Sequence, residues 1–293
     1  MNIIGVNMTE KRINVIKFKN SNEGVVGIVV ALLLIGLLIT AMAFVQNVYV
    51  PKWMGQKESE HMGEVANQFS KLKFSIDTLS ALAQPNTQIS TSITLGSDEM
   101  PFLSTAKSYG SLNVMPNTYK IKVVDKFDEI TSYRIGTIQY TSSNSYFIQQ
   151  SYIFENGALI LRQSKNDLMI STPSFSITDS DDLDFQIIQL IGFGDRTSAS
   201  GYGTYPVQAR YSSSEKFTIY NVKNITIYTN YKIAWKNYIN NLFSESDIDY
   251  FLEETSEANG IIINFLDTDY NDFPDLTLRI TEIKIQISSG WIE

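Results

Sequence analysis

The chain has 293 residues, with 23 basic and 31 acidic side chains, and its net charge of −8 argues against general nucleic-acid binding. Cysteine is absent and His61 is the single histidine, which excludes disulfide frameworks, thiolate metal sites and zinc sites built on several histidines. The many Val, Ile, Thr and aromatic residues, with only 7 prolines, are typical of β-sheets.

An apolar segment near the start predicts a transmembrane helix over residues 25–46. Residues 25–45 contain no charged side chain, and a helix of that length is about 31 Å long. This length matches the hydrocarbon core of a bilayer, which is about 30 Å thick. A buried core helix is the alternative, but such a helix in a soluble protein would show a polar stripe, and this segment shows none.

The charges on either side of this segment predict the topology. Residues 1–24 have a net charge of +2, so the rest of the chain has a net charge of −10. Basic residues beside a membrane span tend to stay in the cytoplasm. We therefore expect residues 1–24 to be a cytoplasmic basic leader and the protein to lie in the cell membrane with a single pass. The C-terminal part would then be extracytoplasmic.

Residues 47–85 are predicted to form an amphipathic stalk helix. Apolar residues recur at alternating spacings of three and four, namely Met62, Val65, Phe69, Leu72, Ile76 and Leu79. Pro51 and Gly55 predict a kink or short break between the span and the stalk. The apolar stripe fits two alternatives, which are packing on the globular part of the same chain and packing on further copies of the chain.

Residues 86–293 alternate in hydrophobicity and predict a β-rich domain. The predicted strands are residues 91–95, 119–125, 130–140, 147–154, 158–163, 185–193, 217–229, 261–266 and 276–287. Asn156 and Gly157 predict a type I′ hairpin turn. A change of phase within the last strand predicts a β-bulge near Thr281–Glu282.

Two short helices are predicted among these strands. The first covers residues 231–243 and would be capped by Asn230, and the second follows a capping-box pattern at Ser246 and Asp249. Residues 96–117 and 195–215 are rich in Gly, Ser and Tyr and are predicted to be surface loops. The expected fold is therefore mainly β with an N-terminal helix, with an antiparallel β-sandwich-like head that contains two short helices.

An acidic loop between the last two predicted strands is a candidate calcium site. Asp267, Asp269 and Asn271 match the first three ligand positions of a D-x-D-x-N loop, and Ca²⁺ binds such oxygen-rich loops. Asp272 replaces the glycine of an EF-hand, and Leu278 replaces its bidentate glutamate, so a solvated Asx turn is the alternative. No other cofactor is predicted.

No residue pattern in the chain predicts catalysis. The nucleotide-binding and nucleophile-elbow motifs are absent from the sequence, and the protein is not expected to be an enzyme. His61 is expected to be an exposed residue of the stalk helix. Asn224 begins an N-x-T sequon and is a candidate glycosylation site on the extracytoplasmic side.

The order of elements in residues 1–84 resembles that of type IV pilin-like proteins. These have a short basic leader, an apolar membrane helix, a continuing amphipathic half and a β-rich head, and residues 22–24 stand at the candidate leader end. Glu23 stands where the family prefers a basic residue, and residues 28–30 lack the glutamate of bacterial pilins. The segments TNYKIAWKNYINNLF and LTLRITEIKIQIS are similar to the heads of archaeal membrane-anchored surface proteins. The resemblance implies either a processed filament subunit or an uncleaved anchor.

Three functions are compatible with this organisation. The first is a non-catalytic, membrane-anchored and surface-exposed structural or interaction protein, such as a pilin-like filament or envelope subunit that associates with itself or with other envelope proteins. The second is an anchored binding module for a glycan or an envelope polymer, which an aromatic-lined pocket would favour. The third is an anchored hydrolase, which two convergent carboxylates with raised pKa values in a cleft would favour.

Overall fold

The computed structural model describes residues 23–97, 108–178, 182–194, 196–255, 259–266 and 273–288. The chain divides into two compact units, which are Met1–Tyr49 and Val50–Glu293. The first contains a long apolar helix, and the second contains all the strands of the described residues. The protein is therefore mainly β with a long apolar helix near its N-terminus, as predicted.

The first unit contains helix α1 (Glu23–Phe44) and a π-helical turn (Val45–Tyr49). Helix α1 is long and apolar enough to cross a membrane, and its side chains from residue 25 onward are exposed on every side. Between residues 25 and 44 its one hydrogen-bonding side chain, Thr40, donates to the carbonyl oxygen of Gly36 at 2.8 Å. This internal bond satisfies the hydroxyl group, as a hydrocarbon environment requires.

The second unit begins with helix α2 (Val50–Leu82). Pro51, near its start, lacks an N–H group, and its ring would crowd the carbonyl group four residues earlier. The break predicted at Pro51 and Gly55 is not seen, because α2 runs through both residues; the irregular turn is the π-helical Val45–Tyr49 before it. The apolar stripe of α2 is buried against strands of the same unit. Most of the predicted strands correspond to an observed strand, but their first and last residues differ from the predicted ones.

The strands of the described residues lie in two curled sheets. They are β1 (Gln88–Thr94), β2 (Tyr109–Asp125), β3 (Ile130–Ser143), β4 (Gln150–Glu155), β5 (Ala158–Gln163), β6 (Asn166–Ser171), β7 (Phe175–Ile177), β8 (Leu183–Gly192), β9 (Ser198–Gly201), β10 (Thr204–Ile219), β11 (Val222–Tyr228), β12 (Tyr250–Glu254), β13 (Gly260–Phe265) and β14 (Leu276–Ile287). The five-stranded sheet has the order β1-β10-β14-β8-β7. The nine-stranded sheet has the order β12-β13-β11-β2-β3-β4-β5-β6, with β9 beside β2.

The strand pairings are antiparallel except for one. Strand β14 runs parallel to β8, which departs from the wholly antiparallel expectation. A parallel pair needs a crossover connection, and here the chain between β8 and β14 passes through the nine-stranded sheet before it returns. The chain thus places its last described strand between β10 and β8, in the interior of the five-stranded sheet.

Two apolar clusters fill the second unit, and each draws residues from both sheets. One surrounds helix α3 (Lys232–Phe243), where Trp235 is fully buried. The other surrounds the stripe of α2, where Phe69 and Leu72 meet strands of both sheets. Burying these side chains is the main term that stabilises the unit.

One of the two predicted short helices is wrong. The capping-box segment after Ser246 leads into strand β12, which pairs with β13 and places Leu252 against the α3 cluster. Pairing with a neighbouring strand outweighs the local capping signal here. Helix α3 does form, but Asn230 does not cap it; Tyr231 occupies that position, and the Asn230 side chain accepts a bond from Asn259.

The predicted loops and the predicted strand over residues 217–229 also need correction. That strand is divided at residues 220–221 into β10 and β11, which belong to different sheets. Residues predicted as loops form the start of β2 and most of β9 and β10. Small residues there serve close packing, since a Cβ atom at Gly110 would lie 2.4 Å from the Tyr140 ring.

Two local predictions about turns and bulges have clear outcomes. The Asn156-Gly157 hairpin is confirmed, with φ angles of 47° and 80°. The register shift falls opposite Glu282 and Ile283, close to the predicted place. The extra residue, however, is Ser212 on the neighbouring strand β10, between the paired residues Tyr211 and Ser213.

Candidate functional site

The outer face of the nine-stranded sheet contains an open groove of about 600 Å³ across β2, β11 and β13. The alternate residues of these strands, such as Ile121 and Ile225, point into the α3 cluster, so the groove is their opposite face. Strand register aligns the groove residues with their neighbours on β3 in cross-strand rows, which are Ile130, Val124, Asn224 and Asn264; Ser132, Lys122, Thr226 and Ile262; and Arg134 with Lys120. Ser132 and Arg134 share this face but do not line the groove.

An aromatic ring and a lysine form one end of this groove. The Nζ atom of Lys120 lies 4.4 Å from the centre of the Tyr228 ring, a cation–π contact that orients the lysine. Gly260 pairs with Tyr228 across the sheet and brings no side chain beside the ring. A Cβ atom at Gly260 would meet the carbonyl oxygen of Ile227 at 3.0 Å, so close backbone packing also requires glycine here.

The groove is basic although the protein as a whole is acidic. Among the described residues, Lys120, Lys122 and Arg134 have no carboxylate partner in an ion pair. Lys120 and Lys122 follow each other on one strand face, about 7 Å apart, and Arg134 is directly opposite Lys120, with about 5 Å between their Cβ atoms.

The acidic groups near the groove have other contacts. The Asp128 carboxylate accepts a bond from Lys223 at 2.8 Å, and the Glu253 carboxylate accepts one from Asn264 at 3.2 Å. Asp128 lines the groove beside β2, and Glu253 is on the edge strand β12. Lys120 and Lys122 lie toward the end of the groove that Tyr228 forms, and the two nearby carboxylates already have partners.

A second opening of about 500 Å³ shares Lys120 and Tyr228 with the groove. Its further walls are largely polar, including Asn117, Tyr119, Asn230 and Asn259. Burial, with a smaller effect of the Glu155 charge, raises the pKa of Tyr119 to about 12. The phenol therefore stays neutral at ordinary pH. Together the two openings offer amide, hydroxyl, aromatic and cationic groups along a shared surface.

Two carboxyl groups with raised pKa values lie behind this surface. Glu155, at the end of β4, is fully buried and accepts a 2.7 Å bond from the Trp235 indole N–H. Burial raises its pKa to about 7, while its bonds with Thr229 and Trp235 act in the opposite direction. Burial also raises the pKa of Asp167, and Arg162 opposes this.

These carboxyl groups do not form a catalytic cleft. Neither Glu155 nor Asp167 lines either of the two openings, and Glu155 has no exposed surface. The Glu155 bond joins the β4–β5 hairpin to α3. The arrangement thus connects structural elements, and the condition set above for a hydrolase is not met at these two residues.

A further carboxylate, Glu58 on α2, was missed by the sequence analysis. It is fully buried and accepts the backbone N–H groups of Ser145, Tyr146 and Phe147 at 2.9, 2.7 and 2.6 Å. It stands four residues before Met62, on the face of the apolar stripe, and this position was the available signal that it would be buried. It fixes the segment that follows β3.

His61 is buried, contrary to the expectation of an exposed helix residue. It is 5% exposed, and its Nε2 atom lies 3.1 Å from the carbonyl oxygen of Thr94 on β1. Its position one residue before Met62 places it at the edge of the stripe, where β1 covers α2. The histidine therefore belongs to the packing of α2 on the sheet.

The predicted site residues do not come together in one place. The stripe residues are buried in the second unit, namely Met62, Val65, Phe69, Leu72, Ile76 and Leu79. Asn224 lines the groove, in the middle of a strand rather than in a loop. The calcium candidates Asp267, Asp269 and Asn271 lie outside the described residues.

The described residues contain no cluster of three or more His, Cys, Asp or Glu side chains that could hold a metal ion. The groove was also missed by the sequence analysis. Comparison with models of protein families, with curated proteins and with solved structures finds no match to this chain.

Proposed function

We propose that this chain is a membrane-anchored, surface-exposed interaction protein whose second unit is a sandwich-like binding module for a glycan or envelope polymer. The observation that carries the proposal is the open groove across β2, β11 and β13, with Tyr228 and Lys120 at one end and amide groups at the other. Small-molecule sites enclose most of their ligand, whereas this groove is open along a sheet face. An extended polymer fits such a surface better.

The chemistry of the groove supports a polyhydroxylated ligand. The Asn224 amide offers two donors and a carbonyl acceptor, and Asn264 keeps its carbonyl acceptor and a donor beside its bond to Glu253; hydroxyl groups of a sugar can bind both kinds of group. The Tyr228 ring offers an apolar surface at the other end of the groove. The proposed activity is binding without chemical conversion, because the buried carboxyl groups hold structural elements together.

Anchoring by α1 completes the proposal. Its apolar, exposed surface fits a single membrane span, and the basic residues before it favour a cytoplasmic N-terminus with the second unit outside. Protease added to intact cells should then remove the second unit. Protection of that unit until the membrane is opened would place it inside and overturn the topology.

Binding is tested with the full chain in detergent micelles and polysaccharide extracted from the envelope of the source cells. Replacing Tyr228 by Ala should weaken binding about tenfold or more, since aromatic anchors carry much of the energy of binding surfaces. Tyr220→Ala is the matched control, because Tyr220 is exposed at the β10–β11 turn, outside the groove. Equal binding by both variants would contradict the proposal.

A pilin-like filament subunit is the second candidate. The exposed apolar surface of α1 and the packing of α2 on strands of the second unit match the division that the resemblance implies. Because the stripe of α2 is already buried there, filament contacts would have to come from α1. Sequencing the N-terminus of the native protein decides between the candidates: Val25 as first residue indicates a processed pilin, and an intact leader indicates an anchor.

A further inference from the structure

We propose that the groove, with the adjoining opening that Arg134 lines, selects an acidic polysaccharide, whose carboxylate groups bind Lys120, Lys122 and Arg134. This inference rests on the proposed function and adds the charge of the ligand to it. The three cations share one face of the adjacent strands β2 and β3. The cross-strand row next to that of Lys122 contains Asn224, whose amide group would meet the sugar hydroxyl groups.

The lack of partners for these cations is the first argument. Some basic residues of the second unit pair with carboxylates, as in Lys223 with Asp128, and others, such as Lys216, do not pair with one among the described residues. Lys120, Lys122 and Arg134 differ from these in lying together on one face of two paired strands. The protein has more acidic than basic residues, so partners are abundant. A group of cations without a carboxylate partner among the described residues leaves positive charge available to an anionic ligand.

The arrangement of the cations is the second argument. Lys120 is oriented by the Tyr228 ring, so part of the entropy cost of fixing a long side chain is already met. Arg134 lies opposite it and can bind a carboxylate with two parallel hydrogen bonds.

The sparse positive charge favours a polysaccharide over a nucleic acid. Double-stranded DNA carries one negative charge for about every 1.7 Å of its axis, and its binding needs many cations. The groove and the adjoining opening offer three, in a protein with a net charge of −8. A sugar chain with spaced carboxylates matches that density, and its hydroxyl groups match Asn224 and Asn264.

The test uses the full chain in detergent micelles with polygalacturonate, alginate and hyaluronate, each beside its own carboxyl-reduced, neutral form. Single-stranded DNA of similar length is a further probe. At least one acidic polysaccharide should bind about tenfold more tightly than its neutral form, and raising the salt concentration should weaken its binding, because exposed charge contacts are screened.

Each outcome has a distinct meaning. Equal binding of an acidic polymer and its neutral form would overturn this inference and leave the proposed function standing. Tighter binding of DNA would replace the polysaccharide with a nucleic acid. Failure of all three acidic polymers to bind would overturn the inference, whereas the proposed function would still be decided by the envelope extract.

Variants locate the effect in the groove. The double variant Lys122→Gln with Arg134→Gln should bind the acidic polymer about tenfold less tightly and lose most of its salt dependence. Lys216→Gln is the control, since this exposed lysine is on β10 of the five-stranded sheet. Unchanged binding by a double variant that melts at the wild-type temperature would overturn the assignment.

Discussion

The interior of the second unit and its outer groove use charged residues in opposite ways. In the interior, Glu58 and Glu155 are fully buried, and their oxygens accept hydrogen bonds from distant parts of the chain. In the groove, Lys120, Lys122 and Arg134 have no carboxylate partner among the described residues. Interior charges thus fix the fold, while groove charges are left for a ligand.

In strand β2, the residues expected to stabilise the fold and those expected to bind a ligand lie on opposite faces. Strand β2 sends Ile121 and Val123 into the core and Lys120 and Lys122 to the groove. Substitutions on the inner face should therefore lower the free energy of unfolding, and substitutions on the outer face should lower affinity alone. The predictions that follow test this separation.

The largest loss of stability is expected from Phe69→Ala on α2. Phe69 is fully buried between Tyr140 and Tyr152, and truncating a buried Phe leaves a cavity that costs about 3–5 kcal/mol. Denaturant unfolding in detergent, followed by tryptophan fluorescence, measures the effect. The control is Phe74→Ala on the same helix, because Phe74 is 73% exposed. Similar losses for both variants would mean that α2 does not pack as described.

The next effect is a dependence of stability on pH that comes from Glu155. Its pKa rises from 4.5 to about 7 on folding, so the folded state holds the proton more tightly than the unfolded state. Its ionisation therefore opposes folding: the penalty is absent below pH 4.5, grows as the pH rises to about 7, and stays constant above. Each unit of pKa shift corresponds to about 1.4 kcal/mol, so the full penalty is about 3 kcal/mol.

The variant Glu155→Gln tests this penalty, since it keeps an oxygen for the Trp235 indole and cannot ionise. The difference in unfolding free energy between the variant and the wild type should move in favour of the variant between pH 4.5 and 7. Denaturant unfolding at several pH values measures it. A difference that does not change with pH would show that Glu155 is not buried in the manner described.

Local signals predicted local structure well. Asn156-Gly157 fixes its own turn, because both residues adopt positive φ values that few other pairs accept. The spacing of the α2 stripe also predicted which of its residues are buried, from Met62 to Leu79. Where pairing with another strand competes with a local capping signal, as at Ser246 and β12, the sequence pattern alone gave the wrong element.

The groove could not be predicted because its parts are far apart in sequence. The alternation of Lys120 and Lys122 with apolar residues was visible, and it indicates an outward-facing pair on a strand. Their proximity to Asn224 and Asn264 depends on the order β13-β11-β2, which pairs strands separated by long stretches of chain. The bonds of Glu58 could not be predicted either, because the residues that donate them are almost 90 positions away in the sequence.

A smaller loss of stability is expected from Glu58→Ala. The substitution removes the acceptor of three partly buried backbone N–H groups, and leaving a donor unsatisfied costs about 1–3 kcal/mol where it is buried. The same denaturant measurement should show this loss, with faster hydrogen exchange at residues 145–147. Glu64→Ala, at an exposed position of α2, is the control. Rapid exchange of these amides in the wild type would already contradict the contact.

The smallest effect on stability is expected from Lys122→Gln, and it separates the two regions most directly. Lys122 is on the strand whose inner face fills the α3 cluster, yet its charge has no carboxylate partner among the described residues. Its removal should change the unfolding free energy by less than about 0.5 kcal/mol. Affinity for the groove ligand should nevertheless fall. If unfolding measurements showed instead a loss as large as that of Glu58→Ala, Lys122 would support the fold, and the division between interior and groove charges would be wrong.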